Sequence, residues 1–288
     1  MQNESQKPSH AGRSLVASAK GVVLTGLLTL VLAGIMVGVS AVPPFAPAPE
    51  LNPGFLSTQA ILWFELAETA DEVQAVLTPA DPGADMRGAM DTLNLYDFPF
   101  MVAYSLYFLA MICFLRDRLR TRSPSFFASM FYFMAGLMFV PMILAGDIIE
   151  NTQLLKLTRY GGGPEMAAAI GGTISEQIPF ETILNLKIFT RMKWGAIFLA
   201  CAHLGGSSAA LLLLAPGKDR DAGAPSGIRT QIGTLVIALS FIATAILGFI
   251  SIASLELRAL LQWATLTMVV AWVGVLIQAG MLVFRRGD

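Results

Sequence analysis

Apolar residues arrive along this chain in long unbroken runs, with neither the alternation of a half-buried strand nor the one-sided stripe of a surface helix. Crossing the hydrocarbon core of a bilayer takes about 20 mainly apolar residues in a helix. Six stretches meet that requirement: residues 21–42, 98–115, 126–146, 194–214, 232–253 and 263–284. None holds an Asp, Glu, Lys or Arg in its interior, where one would cost at least ~2.5 kcal/mol. The pattern predicts an all-α, polytopic membrane helical bundle of six transmembrane helices.

The polar segments between the runs divide the chain. Residues 1–20 read as a disordered cytoplasmic tail and residues 21–42 as the first span. Residues 43–97 read as a small helical extracytoplasmic cap, and residues 98–288 as the rest of the bundle. The cap segment opens with a Pro-rich spacer, Pro43 through Pro53. An apolar helix follows over residues 57–68, carrying Ile61, Leu62, Trp63, Phe64 and Leu66. Trp63 and Phe64 suit either a helix lying at the membrane interface or one packed onto the tops of the spans. Thr69 and Glu72 spell a T-x-x-E capping box. It predicts a second short helix through Val73, Val76 and Leu77 that stops before Pro79. After the third span no helix breaker occurs until Gly161, so that helix is expected to continue to about Leu157. Gly161-Gly162-Gly163 then breaks it, and Pro164 opens a short helix over residues 165–170, a connector or a lid. Pro179 restarts a helix that runs into the fourth span. No fixed-period repeat is visible.

Composition agrees with the pattern. Hydrophobic residues make up 55% of the 288 and charged residues 14%, against about 25% charged in soluble domains. That excludes a disordered chain and argues against a soluble globular enzyme. The net charge of −1 gives no bulk attraction to nucleic acid. The placement of charge is more informative than its sum. Twelve of the nineteen basic residues fall in the N-terminal tail, the loops after the second and fourth spans, and the C-terminal tail. These include the run Arg116, Arg118, Arg120 and Arg122. The positive-inside rule then puts both termini in the cytoplasm. A cleaved signal peptide ending near Val39-Ser40-Ala41 is the rival reading of the first span.

Candidate chemistry gathers at the outer ends of three spans. Asp97 opens the second span; Asp147, Glu150 and Asn151 follow the third at i, i+3 and i+4, one helical face. Lys193 opens the fourth, with Asn185 two turns above it. These six residues are the predicted ligand-binding polar cluster. They either cap the spans and lock neighbouring helices, or line an outward-facing pocket, or hold a hard cation through D-x-x-E-N oxygens. Asp147 with Lys193 is the expected ion pair. Tyr104, Tyr107 and Phe108, with Phe131, Tyr132 and Phe133, form either an aromatic pocket wall or core packing. Pro141 frees the carbonyl of Leu137 and is expected to bend the third span. Two small-x-x-x-small ridges, Ala202-Gly206-Ala210 and Gly34-Gly38, predict close helix packing. A lone His203 reads as a core residue, and Cys113 and Cys201 as buried thiols or, less readily, a disulfide. The sequence shows no known catalytic motif, no Cys/His cluster for zinc and no cofactor signature, which favours a protein that is not an enzyme.

Short matches run through Phe64-Glu65-Leu66-Ala67, Thr69 to Val73, Asp97, Phe100, Tyr104, Asp147 to Asn151 and Thr190 to Trp194. Over residues 60 to 215 the chain resembles a group of bacterial multi-pass inner-membrane proteins of unknown function. The resemblance implies a location in the bacterial inner membrane and no particular activity. The expected partners are the lipid bilayer and a lipid-like or apolar ligand, with a membrane-protein partner or a homo-oligomer as further readings and no nucleic acid. The leading functional reading is binding of a lipid-like ligand or a partner protein through the outer half. The alternatives are a small ion-coupled carrier and a cation-dependent lipid-modifying enzyme.

Overall fold

The computed structural model describes residues 10–40, 60–78, 85–122, 126–160, 178–214, 226–253 and 260–286. Among them every regular element is a helix. They are α1 (His10–Ser40), α2 (Ala60–Glu65), α3 (Ala70–Leu77), α4 (Met86–Arg122), α5 (Phe126–Leu157), α6 (Phe180–Leu213), α7 (Ser226–Ala253) and α8 (Leu260–Arg286). Six of these, α1 and α4 to α8, are long and apolar enough to cross a membrane. The protein is a polytopic helical bundle with α2 and α3 as a small cap at one end. The Pro-rich spacer, the triple-glycine break and the short helix expected at 165–170 lie outside the described residues.

Each long helix packs on the next, α4 on α5, α5 on α6, α6 on α7 and α7 on α8, while α1 packs on both α4 and α8 and closes a ring. Paired residues fix the directions. Arg87 of α4 donates to the carbonyls of Thr158 and Tyr160, both at 2.7 Å, just past the end of α5. Farther along, Asn151 meets Asp97, and farther still Ile112 lies against Gly136. α4 and α5 are therefore antiparallel. The same reading holds for α6 and α7, where Phe198 meets Gly248 and Ile242 meets Gly205. The ends of α4, α5 and α6 that face α2 and α3 form the cap side; the arginine-rich end of α4 marks the other.

The second long helix begins at Met86, about three turns before the apolar run at Phe98. It passes through Pro99, as α5 passes through Pro141. The last residues of the segment read as cap are thus the first turns of α4. α5 ends at Leu157 and α6 starts after Pro179, as the breakers required.

Cap residues Trp63 and Phe64 are 3% and 0% exposed, so α2 packs onto the bundle with its aromatics inward. Thr69 caps α3 as the T-x-x-E motif predicts, its Oγ1 accepting from the Glu72 N–H, while Glu72 Oε2 reaches back one residue past the cap to accept from the Glu68 N–H. Val73, Val76 and Leu77 are buried beneath it. Around the long helices, Leu24, Val31, Ile35, Ile246, Leu266 and Ile277 are among many exposed large apolar residues. That surface is the one a bilayer solvates.

The small-residue ridges behave differently from the expectation. Gly34, Gly38 and Gly206 have open space where a Cβ would stand. Close packing falls instead one residue away, at Gly205, where a Cβ would sit 2.9 Å from Ile242 Cγ1 and 3.2 Å from the Ile242 backbone nitrogen. Gly206 is rotated about 100° from Gly205 around α6, enough to turn it out of the α6–α7 contact. Cys113 and Cys201 are both free thiols.

Candidate functional site

The chemistry-bearing residues converge beneath the cap. On α5 the i, i+3, i+4 spacing puts Asp147, Glu150 and Asn151 on one face, and all three are buried. α6 brings Lys193 against that face. Its approach depends on Gly146, whose missing Cβ would stand 3.1 Å from the Cα, Cβ and backbone nitrogen of Lys193. With no side chain on Gly146, the two backbones pass close enough for a lysine to fold back onto its neighbours.

Lys193 Nζ lies 2.7 Å from Glu150 Oε1, 3.0 Å from Glu65 Oε2 and 3.1 Å from Asp147 Oδ1. The first two are hydrogen bonds. The third is an ion pair without hydrogen-bond alignment, since Asp147 Oδ1 accepts no proton. The other Asp147 oxygen, Oδ2, accepts from the Tyr104 hydroxyl of α4. Asp97 Oδ2 accepts from Asn151 Nδ2 at 2.6 Å. The Trp194 ring sits 5.3 Å from the ammonium, within cation–π range.

Glu65 enters from the cap. Its carbonyl accepts from Thr190 Oγ1 at 3.2 Å, one turn before Lys193, and so ties the end of α2 to α6. Glu68, next to it, takes Lys187 at 2.6 Å and Arg191 at 2.8 Å. Those two basic side chains are about a third and nearly half exposed, so these pairs add little beyond orientation.

Five of the six predicted polar residues therefore lie together: Asp97, Asp147, Glu150, Asn151 and Lys193. Asn185 does not join them; it is exposed on α6. Eight residues of α helix turn through about 80° beyond two full turns, and that rotation carries Asn185 off the face of Lys193. Glu65 and Tyr104 supply contacts that the predicted cluster lacked. A hard cation held by D-x-x-E-N oxygens is one of the three sequence readings of these residues. Among the described residues no three His, Cys, Asp or Glu side chains are placed to hold a metal ion. The lysine ammonium fills the middle of the acidic group instead.

Beside the cluster lies a cavity of about 370 Å³, within the range of small-molecule sites. Glu65, Asp97, Asp147 and Lys193 form its charged end. The remaining wall is apolar or aromatic apart from Thr29 and Thr265. Leu30, Ala33 and Met36 come from α1, Phe100, Tyr104 and Phe108 from α4, and Met268, Val269 and Trp272 from α8. Tyr104 is stacked on Trp272 with centroids 6.4 Å apart, and Phe108 meets the same indole edge-on at 5.5 Å. Tyr107 is spent on packing, its hydroxyl donating to the Trp272 carbonyl at 2.6 Å.

The other predicted aromatics lie elsewhere. Tyr132 stacks on His203 at 4.0 Å, and Phe133 lies 4.6 Å under the Arg116 guanidinium; the Phe131 side chain lies outside the described residues. The chain matches no family model, no curated protein and no solved structure.

Proposed function

We propose that this protein holds a lipid-like molecule in the cavity beneath its cap, in a bacterial inner membrane with both termini cytoplasmic and the cap outside. The observation that carries the reading is the cavity itself. Its long wall is apolar, one end is charged, and three lining residues, Leu30, Val37 and Val269, are also exposed on the apolar outer surface. An amphiphile in the outer leaflet can therefore slide its tail between α1 and α8 while its polar end stays with the charges. Burying the tail against protein rather than lipid gains packing more than it gains hydrophobic transfer, so selectivity rests on the polar end.

A carrier would need the polar path to continue toward the arginine-rich side. Below the cavity α4 instead presents Met111, Ile112, Phe114 and Leu115, each no more than 2% exposed. That apolar plug favours a binding protein over a carrier.

The test is native mass spectrometry of protein purified in mild detergent. Wild type is expected to retain a bound lipid-sized molecule that Ala33→Trp, with its cavity filled, has lost. Identical adducts on both proteins, or none on wild type, would remove the reading.

A further inference from the structure

The charged end of the cavity is unbalanced. Four carboxylates, Glu65, Asp97, Asp147 and Glu150, face one ammonium. Lys193 is within ion-pair distance of three of them. Among the described residues Asp97 has no cation within ion-pair distance, and its hydrogen bond comes from the neutral amide of Asn151. Yet Asp97 is 9% exposed and lines the cavity. A carboxylate so enclosed needs a donor or a positive charge from somewhere.

Two further features of the same cavity point to a ligand. Trp194 and Trp272 line it at 6% and 7% exposure. Phe100 and Tyr104 meet edge-on at 5.2 Å, and Tyr104 stacks on Trp272, which makes a continuous aromatic wall next to Asp97 on α4. An acid beside aromatic faces is how proteins recognise organic cations.

Building on the lipid-binding reading, we infer that the cavity selects an amphiphile whose polar end carries a protonated amine, seated on Asp97 and against the Tyr104 and Trp272 rings. Such an amine is offered both by an aminophospholipid headgroup and by a free lipophilic amine.

The experiment uses full-length, delipidated protein and five probes: dodecylamine, dodecanol, dodecanoate, phosphatidylethanolamine and phosphatidylglycerol. Binding is read by the shift of the detergent melting curve across a titration of each. Dodecylamine is expected to bind about tenfold or more tighter than dodecanol, the gain of one charge-assisted contact. Dodecanoate is expected to bind more weakly than either. Asp97→Asn should erase the amine preference while keeping the dodecanol response, and Asp97→Glu should restore it. If phosphatidylethanolamine outcompetes dodecylamine and phosphatidylglycerol does not, the source is the membrane lipid. The reverse order names a free amine. Equal binding of amine and alcohol by wild type would overturn this inference and leave the cavity reading standing. Failure of every probe to distinguish wild type from Ala33→Trp would overturn the cavity reading as well.

Discussion

Lys193 is one cation shared by three buried carboxylates, and its removal would leave all three without a countercharge. Breaking a buried pair by deleting one partner costs about 3–5 kcal/mol in soluble proteins. Lys193→Met is therefore expected to lose about that much, read as a large fall in the detergent melting temperature. Glu150→Gln keeps an acceptor for the ammonium, so its loss should be clearly smaller. Equal melting of Lys193→Met and wild type would mean that the cluster does not hold the bundle together. At this scale the sequence was informative where local geometry decides. Asp147, Glu150 and Asn151 share a face because of helical spacing alone, and Lys193 was placed by the depth at which its span begins. Asn185 stands two turns before Lys193, on what the sequence reads as roughly the same side, but the remaining rotation of about 80° leaves it exposed. Glu65 was hidden for another reason: it closes an apolar run, and only the folding of the cap onto α6 through Thr190 turns it inward.

At the scale of elements, the helices meet through glycines whose direction the sequence alone does not reveal. Gly205 and Gly206 are neighbours with opposite surroundings. A Cβ at Gly205 meets Ile242 and Phe241 of α7 within 3.2 Å, while Gly206 faces open space. Gly205→Leu is expected to cost about 1–3 kcal/mol through overpacking and Gly206→Leu to leave the melting temperature nearly unchanged. Comparable losses at both positions would show that Gly206 is also covered, by a second copy or by another membrane protein. The spacing of small residues marked Gly206 and passed over Gly205, and a one-residue step is a rotation of about 100°, enough to move the contact to the wrong neighbour. Breakers were easier to read. Pro179 and the lack of any breaker before Gly161 located the ends of α5 and α6, whereas the polar first turns of α4, Met86 to Asp97, lacked the apolar run by which spans are recognised.

On the scale of the whole molecule, the six spans follow from length and hydropathy, and packing of each span on the next, with α1 against both α4 and α8, arranges them as a ring. Direction across the membrane is a separate matter. It rests on the imbalance of basic residues, with Arg116, Arg118, Arg120 and Arg122 clustered after α4's apolar run and the carboxylates Glu65, Glu68, Asp71 and Glu72 in the cap. With the cap outside, the charged end of the cavity meets the headgroups of the outer leaflet. Cysteines placed singly at Ser123 and Gly162, in a background where Cys113 and Cys201 are alanine, separate the two orientations. In intact cells an impermeant maleimide is expected to label Gly162→Cys and to reach Ser123→Cys only after the membrane is opened. Labelling of Ser123→Cys from outside would invert the bundle. The cavity would then face the inner leaflet, where the same acidic and aromatic end would have a different pool of amine-bearing lipids to draw on.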